Sequence, residues 1–436
     1  MRLHPIILLL GFGLTLLPPS AHAQSLNLRD LLPDFLRRGV TLAPPAVGTD
    51  HSAHFASAND QFNAVDQINS EIAYQLSAFP LSSSAGGFAY EYDANLGVFN
   101  RPTRSFGPVY TERAFNVGKG KINFGMNYSR FTFDDIDEID LRGDGLQFVF
   151  QHLDSNLDGD HTQFYFEGDV VTADVFVNVE SSVTALVTTF GVSDRFDVGL
   201  VVPAVDVSMD VRVDSRVERL ATEDTAPDTH AFPNGTGAQT TQTGASANGV
   251  GDIQLRAKYR LTEGKGLAAL LGEVRLPTGD EENLLGVGAI GGRLSFVGTL
   301  NTDVVAPHVN LGYMVNGNEL PDELTYRFGA DWVLDPKITV SGELLGLTQS
   351  DVRSVAVEDV TLTANTSPSG PPNLVTGTFE QTTYTPGESR STLDAAIGVK
   401  INLARTLLIS LNGVFPLTGD GLTDEFTPLI GFDYSF

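Results

Sequence analysis

The chain ends with FTPLIGFDYSF, residues 426–436, in which every second residue from Phe426 to Phe436 is aromatic, isoleucine or proline. Alternate side chains of a β-strand point to opposite faces of a sheet, so this segment is predicted to be a strand with one apolar face. An apolar face at the end of a chain is expected where that face meets lipid, as on the outside of a closed barrel. The segment therefore predicts the closing strand of a transmembrane β-barrel.

The first residues have the pattern of a secretory signal peptide. Arg2 gives a basic head, an apolar run extends from Ile6 to Leu17, and Ala21-His22-Ala23 forms an A-x-A cleavage site before Gln24. The apolar run is too short for a transmembrane helix, which needs about 20 residues. We therefore expect residues 1–23 to be a signal peptide that exports the chain to the outer membrane of a Gram-negative bacterium.

Composition narrows the classes of function. The chain has no cysteine, which excludes disulfide frameworks, thiol nucleophiles and cysteine-based metal sites. The formal net charge of −27 argues against a nucleic-acid partner, because phosphates are bound by lysine and arginine. The 44 glycines and 27 phenylalanines suit a barrel that uses glycine for close approach and aromatic residues at the membrane boundaries.

Residues 24–86 lack the alternation of strands. Leu28 to Val40 and Asp60 to Phe79 instead carry apolar residues at helical spacing, which predicts two amphipathic helices. We expect this segment to form either a periplasmic extension or a plug inside the barrel.

Residues 87–436 are predicted to form an all-β domain, a transmembrane antiparallel β-barrel of about 14 strands (roughly 12–16). A further short strand is predicted at 109–115, a bulge at Pro203-Ala204, and long loops at 217–247 and 353–388. The predicted barrel strands are 121–134, 143–153, 162–179, 181–192, 195–213, 249–262, 266–277, 286–300, 303–316, 322–334, 336–348, 390–402, 405–416 and 425–436.

The polar face of each strand is assigned to the barrel interior. Arg256, Lys258 and Arg260 form a ladder of like charges, which needs acidic partners on neighbouring strands or water. In a channel the ladder would attract anionic groups and tune selectivity; the alternative is a salt-bridge network that braces the wall. The candidate lumen residues are Asp252, Arg256, Lys258, Arg260, Glu273, Arg275, Arg293, His308, Arg327, Asp331, Glu343, Asp394 and Lys400.

No catalytic residue, metal site or cofactor is predicted. His51-x-x-His54 lacks the acid of a zinc protease motif, and Asp154 to Asp160 lacks the closing glutamate of a calcium loop. His308 would need a serine across the barrel to act in an outer-membrane lipase, and no spacing argues for one. We therefore expect the protein not to be an enzyme.

Four segments carry a resemblance to a known family. They are YDANLGVFNRPTRSFGPVYTERAFNVGKGKINFGMNYSRFTF (92–133), ALVTTFGVSDRFDVGLVVP (185–203), GVGDIQLRAKYRL (249–261) and EVRLPTGDEENLLGVG (273–288). With them the chain resembles bacterial outer-membrane barrel proteins grouped as transporters of the MetA pathway of phenol degradation, which lie near the long-chain fatty-acid and aromatic-hydrocarbon channels. The resemblance covers most of 86–436 and implies a channel for small, often hydrophobic molecules. It assigns no ligand-binding residue.

The predicted function is passive uptake of small molecules, hydrophobic or aromatic ones among them, by diffusion through the lumen. The alternative is a structural or surface-binding outer-membrane barrel whose long loops carry the function. The expected partners are outer-membrane lipid, lipopolysaccharide, a small-molecule solute, and the barrel-assembly machinery, which would recognise the C-terminal Phe436. No nucleic acid is expected.

Overall fold

The computed structural model describes residues 27–43, 55, 65, 68, 69, 72, 74–76, 83, 87–93, 98–153, 165–220, 230–302, 304–318, 320–365, 373–404 and 406–436. The predicted signal peptide, residues 1–23, lies outside them. Within these ranges the continuous helical elements are an α-helix and short 3₁₀ turns at Tyr165–Gly168 and Glu281–Asn283. The elements are α1 (Leu28–Gly39), β1 (Glu91–Asp93), β2 (Val98–Asn100), β3 (Ile122–Phe133), β4 (Asp135–Ile136), β5 (Ile139–Asp140), β6 (Leu146–Gln151), β7 (Asp169–Gly191), β8 (Phe196–Arg219), β9 (Ala238–Val250), β10 (Ile253–Arg260), β11 (Gly266–Leu276), β12 (Gly291–Leu300), β13 (Val305–Asn316), β14 (Glu323–Asp335), β15 (Ile338–Asn365), β16 (Leu374–Ala404), β17 (Leu407–Pro416), β18 (Leu422–Thr423) and β19 (Thr427–Ser435).

Twelve strands form a closed antiparallel ring. In order they are β3, β7, β8 and β10 to β17, followed by β19, which pairs with β3 and closes the wall. Two further strands complete a 14-stranded sheet, because β6 pairs with β7 and β9 pairs with β8 beyond the ring. The predicted transmembrane antiparallel barrel of about 14 strands is thereby confirmed, with twelve strands in the closed wall.

The outer face of the wall is apolar. Leu294 on β12 and Ile397 on β16 are each 62% exposed, and equivalent positions on the other wall strands carry leucine, valine or aromatic side chains. Such a band is stable only against lipid, because large exposed apolar surfaces are rare on proteins in water. The short turns and Phe436 lie at one end of the barrel, the short-turn end, and the longer connections lie at the other, the long-loop end.

Two sets of strands extend beyond the apolar band at the long-loop end. On β7 the outward side chains change from Phe190 and Leu186 to Glu180, Asn178 and Asp174, so this part of the strand lies outside the membrane. The predicted loops at 217–247 and 353–388 are too long, because strands extend into both of them. The strand β8 continues to Arg219, β9 begins at Ala238, and the β15–β16 hairpin reaches Asn365 and Leu374. This polar sequence contains many threonines and valines, which favour strands, and it therefore forms paired strands outside the membrane.

Three smaller predictions also differ from the structure. The predicted strands 162–179 and 181–192 are one strand, β7, because its pairing with β8 is continuous. The predicted bulge at Pro203-Ala204 is absent. Pro203 pairs in register with Ala185 of β7. On the other side of β8 the neighbouring strand changes from β10 to β9 at this point, so a proline, which has no N–H to donate, is tolerated there. Residues 109–115 do not form a strand.

The N-terminal helix packs inside the extended wall. The first predicted helix is present as α1, whose leucines Leu28, Leu31, Leu32 and Leu36 are buried in one cluster with the inward valines of β7 and β8. Gln239 on β9 donates to the carbonyl of Gly39 over 2.8 Å. In the second predicted helix, the described residues Val65, Ile68, Ile72 and 74–76 are helical, and Phe62 lies outside the described residues. Across the described ranges, no helix is long and apolar enough to cross a membrane.

Candidate functional site

The inner face of the wall carries the thirteen candidate lumen residues. Cross-strand pairs share a face, so the register that joins Arg256, Glu273 and Arg293 places all three side chains on the inside. The same reasoning extends strand by strand to Lys400 and Asp394 on β16. Ten candidates are buried and three are partly exposed: Arg293, Arg327 and Asp394.

Arg256, the first cation of the ladder, lies in an alternating ion-pair network on the inner face of the wall. The guanidinium of Arg256 lies 2.9 Å from one carboxylate oxygen of Glu273, and the other oxygen accepts from Arg293 over 3.2 Å. Arg293 also donates to Glu323 over 2.6 Å, and Glu323 accepts from the Tyr74 hydroxyl. This network joins residues of β10, β11, β12 and β14, so the charges of Arg256 and Arg293 are neutralised within the wall.

Asp252 and Arg275 brace the long-loop end instead. The carboxylate of Asp252 accepts from the backbone N–H groups of Gly279 and Val287, each over 3.0 Å, and so holds the connection between β11 and β12. Arg275 donates to the side-chain oxygen of Asn316 over 2.7 Å. Both residues fix the rim of the barrel.

A stretch of irregular chain fills the half of the barrel nearer the short turns. Every residue from 105 to 117 is buried, yet none lies in a helix or a strand. We call residues 105–117 the lumen segment. Buried backbone groups must find hydrogen-bond partners, and here the inward side chains of the wall supply them.

Glu343 on β15 is the main anchor of the lumen segment. Its carboxylate accepts from three successive backbone N–H groups, those of Val109, Tyr110 and Thr111, over 2.8, 3.0 and 2.6 Å. Hydrogen bonds to a charged acceptor are about twice as strong as neutral ones. Four more backbone N–H groups of the lumen segment donate to wall side chains: Phe106 to Thr339, Glu112 to Asn310, Ala114 to Thr299 and Val117 to Asp197.

The carbonyl groups of the lumen segment are bound by inward cations and one amide. Lys400 donates to the carbonyl of Pro108 over 2.8 Å, and Arg327 donates to that of Tyr110 over 2.9 Å. Lys258 donates to the carbonyl of Arg113 over 3.2 Å. Asn310 donates to that of Glu112 over 3.0 Å. Three candidate lumen cations are thus engaged with chain inside the barrel.

His308 lies beneath the lumen segment. Its Nε2 contacts the carboxylate of Asp331, and its Nδ1 lies 3.1 Å from the hydroxyl of Thr299. That hydroxyl also accepts from the N–H of Ala114. The order of hydroxyl, imidazole and carboxylate resembles a catalytic triad, but all three side chains are buried and hold the lumen segment to the wall.

Sequence reasoning missed the lumen segment itself. Its apolar residues follow neither helical nor strand periodicity, and the break in alternation around Gly107-Pro108 is the signal that could have indicated irregular chain. It also missed the uncharged anchors Thr299 and Thr339, because a threonine on a polar face has no distinctive pattern. Among the described residues, no group of three or more histidine, aspartate or glutamate side chains is placed to hold a metal ion.

Comparison with known proteins supports the family. The family model described as "Putative MetA-pathway of phenol degradation" matches residues 154–357 and confirms the resemblance in the sequence. No curated protein matches the chain significantly. Among solved structures, an outer membrane channel from Pseudomonas putida F1 is similar, with 12% identity, 74% of this chain and 97% of that chain covered, and a TM-score of 0.40. A FadL homologue from Pseudomonas aeruginosa is similar with 11% identity, coverage of 74% and 90%, and a TM-score of 0.30. Likeness at this level carries no argument about function, which rests on the geometry above.

Proposed function

We propose that the chain forms a channel in the outer membrane of a Gram-negative bacterium for passive uptake of small molecules, hydrophobic or aromatic ones among them. One observation carries this proposal. Each hydrogen bond that the described residues show between the lumen segment and a wall strand involves a side chain, whereas the wall strands are joined to one another by continuous backbone pairing. The lumen segment can therefore move while the wall stays intact.

The energetics favour opening of the lumen rather than of the wall. Separating two wall strands in lipid leaves a row of backbone groups without partners, at several kcal/mol each. Moving the lumen segment exchanges side-chain hydrogen bonds for bonds to water that enters the lumen, and each exchange costs about 0.5–3 kcal/mol. The N-terminal chain is coupled to this movement, because the N–H of Ser83 donates to the carbonyl of Val109 over 2.8 Å. We propose that residues 24–86 and the lumen segment together close the lumen.

The alternative, a structural or surface-binding barrel, draws support from the strand extensions. The polar parts of β7, β8 and β9 and the β15–β16 hairpin project beyond the apolar band, where they offer a surface to external partners. A barrel used in this way needs no movement inside its lumen. The two functions therefore differ in whether the lumen segment moves.

A disulfide between the lumen segment and the wall tests the channel. A Cβ built at Gly329 lies 3.4 Å from the Cβ of Thr111, close to the ~3.5–4.5 Å of a disulfide. The chain has no cysteine, so Thr111→Cys with Gly329→Cys forms one defined bridge. In planar bilayers we expect the oxidised double variant to be silent, and the reductant dithiothreitol to restore the conductance of the unmodified protein.

A bridge within the wall is the matched control. A Cβ built at Gly312 lies 3.3 Å from that of Ser295, so Ser295→Cys with Gly312→Cys links β13 to β12 without contacting the lumen segment. This control should conduct in both redox states. Equal conductance of the oxidised Thr111–Gly329 bridge would show that the lumen segment does not control opening. A protein that stays silent both intact and after deletion of residues 24–86 would favour the structural alternative. Liposome swelling with aromatic, fatty and sugar solutes then identifies what passes.

A further inference from the structure

The strand β9 forms an open edge of the sheet at the long-loop end. It pairs with β8 over residues 238–250 and with no other strand of the described chain. Each of its residues is exposed or partly exposed. The β11–β12 connection contacts its C-terminal end, where a Cβ built at Gly249 lies 2.9 Å from the side chain of Leu285. Residues 240–248 therefore run along a free edge outside the membrane, which we call the β9 edge.

The hydrogen bonds at the two ends of the β8–β9 pairing show which backbone groups face this edge. The N–H of Val217 donates to the carbonyl of Gly237 over 2.8 Å. At the other end the N–H of Gly251 donates to the carbonyl of Pro203, also over 2.8 Å. The register between them has no shift, so odd-numbered residues of β9 bond to β8 and even-numbered ones point away from it. Five residues of the β9 edge thus present N–H and carbonyl groups without a partner among the described residues: Thr240, Gln242, Gly244, Ser246 and Asn248.

The β9 edge lacks the features that normally protect an exposed edge from pairing, which are charged residues, proline and bulges. Residues 238–250 contain no charged residue and no proline, and their register with β8 is unbroken. The extended part of β15 differs. Its pairing shifts register at Val352, it carries Glu358, and the N–H of Val355 donates to the carboxylate of Asp137 over 2.7 Å. The protection of one extended strand and not of the other indicates that the β9 edge has a use.

The two ends of the β9 edge carry charges of opposite sign. On β8 the exposed Arg216 pairs with Ala238, and the exposed Asp206 pairs with Asn248. The β11–β12 connection, which lies against this second end, adds the exposed Glu282. Between the two ends the outward charges of β8 alternate in sign. A strand that pairs with the edge is therefore favoured when it is acidic at the Ala238 end and basic at the Asn248 end.

We infer that the β9 edge binds an extended segment of another protein as an added antiparallel strand. Antiparallel pairing is the more stable arrangement, and it places the N-terminus of the segment at the Asn248 end. The segment is thus basic at its N-terminal end, uncharged in the middle and acidic at its C-terminal end. A second copy of this chain does not fit, because two copies in one membrane point the same way and their β9 strands cannot run antiparallel. The edge belongs to the folded extension, so binding there does not depend on the proposed channel.

Fluorescence anisotropy of a labelled peptide measures this binding on the full chain in detergent micelles. The probe is a peptide of about ten residues with blocked ends, in which threonine and valine alternate between an N-terminal lysine and a C-terminal glutamate. We expect saturable binding, and binding at least about threefold weaker when the lysine and the glutamate are exchanged. Binding should also slow hydrogen exchange at the five edge-facing N–H groups, whereas the odd-numbered residues already bonded to β8 should change little.

Methylation of the peptide nitrogens separates strand pairing from other contacts. Only every second residue of an antiparallel strand bonds to a given neighbour, so the two alternate sets of N–H groups are not equivalent. Methylating the set that faces β9 should weaken binding at least about tenfold, because each methyl group removes a donor and blocks the approach of the strands. Methylating the other set should change the affinity less than about threefold.

Two variants of Gln242 test the edge from the side of the protein. Gln242→Pro removes an N–H that faces the edge and keeps the bonds to β8, and proline is tolerated on an edge strand in that position. It should weaken peptide binding at least about tenfold. Gln242→Ala keeps the N–H, loses only the side chain, and should change the affinity less than about threefold. Heat-modifiable mobility in gels shows that each variant keeps the folded barrel.

Several results would overturn the inference: no saturable binding of the peptide, equal effects of the two methylated sets, undiminished binding by Gln242→Pro, or tighter binding of the peptide with exchanged charges. A dimer of the unmodified protein that is lost in Gln242→Pro, without any peptide binding, would assign the β9 edge to a second copy instead. The conductance of Gln242→Pro should equal that of the unmodified protein, so failure of this inference and failure of the proposed channel are distinguishable.

Discussion

Substitution of Glu343 by glutamine should release the lumen segment while leaving the wall intact. Glu343 is 4% exposed and accepts from three consecutive N–H groups of the lumen segment over 2.6–3.0 Å. Glutamine has nearly the same size but a single acceptor oxygen. Its NH₂ group replaces the second oxygen. A donor then faces the backbone N–H groups from which this oxygen accepted.

The size of the effect follows from the bonds that change. A hydrogen bond to a charged group contributes about 1.5–3 kcal/mol net, and all three bonds to Glu343 lose the charge while at least one loses its acceptor. The closed arrangement is then destabilised by about 2–5 kcal/mol relative to an open one, in which water satisfies the freed groups. Since 1.4 kcal/mol corresponds to a tenfold change, the ratio of open to closed channels should rise at least about thirtyfold.

Single-channel recording in planar bilayers measures this ratio directly, and Glu273→Gln is the matched control. Glu273 is 7% exposed on the same inner face, but its partners Arg256 and Arg293 both belong to the wall. The control should alter the stability of the barrel and leave its open probability near that of the unmodified protein. An open probability for Glu343→Gln no higher than for Glu273→Gln would refute the assignment of Glu343 as the anchor of a gate.

Two further predictions concern the membrane boundary and the extended strands. Leu294→Lys places a charge on the lipid face and should destabilise the barrel by about 2–4 kcal/mol in urea unfolding from liposomes. Ser246→Lys, on the extended part of β9, should have little effect. Equal losses of stability in the two variants would contradict the assigned apolar band. Burial raises the pKa of Asp174, which lies on the extension of β7; Arg216 opposes the rise, and Asp214, directly across the strand pair, adds to it. Because a raised pKa favours the neutral acid in the folded state, Asp174→Asn should raise the thermal unfolding midpoint at neutral pH, and the gain should vanish as the pH falls below the unfolded value of about 3.9; a gain independent of pH would exclude this cause.

Alternation made the wall predictable from the sequence. A one-residue shift moves every side chain of a strand to the other face, so the contrast between lipid and interior fixes the face of each residue strongly. The strand β10 shows this, with Leu255 and Tyr259 exposed outside and Lys258 buried inside. The same contrast identified Glu343 and Lys400 as inward residues before any pairing was known.

The extensions and the lumen segment were not predictable in this way. On β9 the outward residues are polar and the inward ones are threonine and alanine, so residues 240–248 lack the contrast between the two faces that marks a strand. The lumen segment has no local pattern because its conformation is set by distant wall side chains. The N–H of Val117, for example, donates to the carboxylate of Asp197, and that of Phe106 donates to the hydroxyl of Thr339. Local sequence carries no record of such partners.

The arrangement of charge couples closure to selectivity. In the closed barrel Lys258, Arg327 and Lys400 donate to carbonyl groups of the lumen segment, so their charge is occupied at the constriction. When the segment moves away, these cations face the opened path together with Glu343 and Asp197, whose carboxylates accept from the same segment in the closed barrel. A solute would then pass side chains of both signs. Each sign of charge is attracted by some of them and repelled by others, whereas a neutral molecule meets neither barrier. The mixed lining therefore favours uncharged solutes over ions, and it follows from the same side chains that hold the lumen closed.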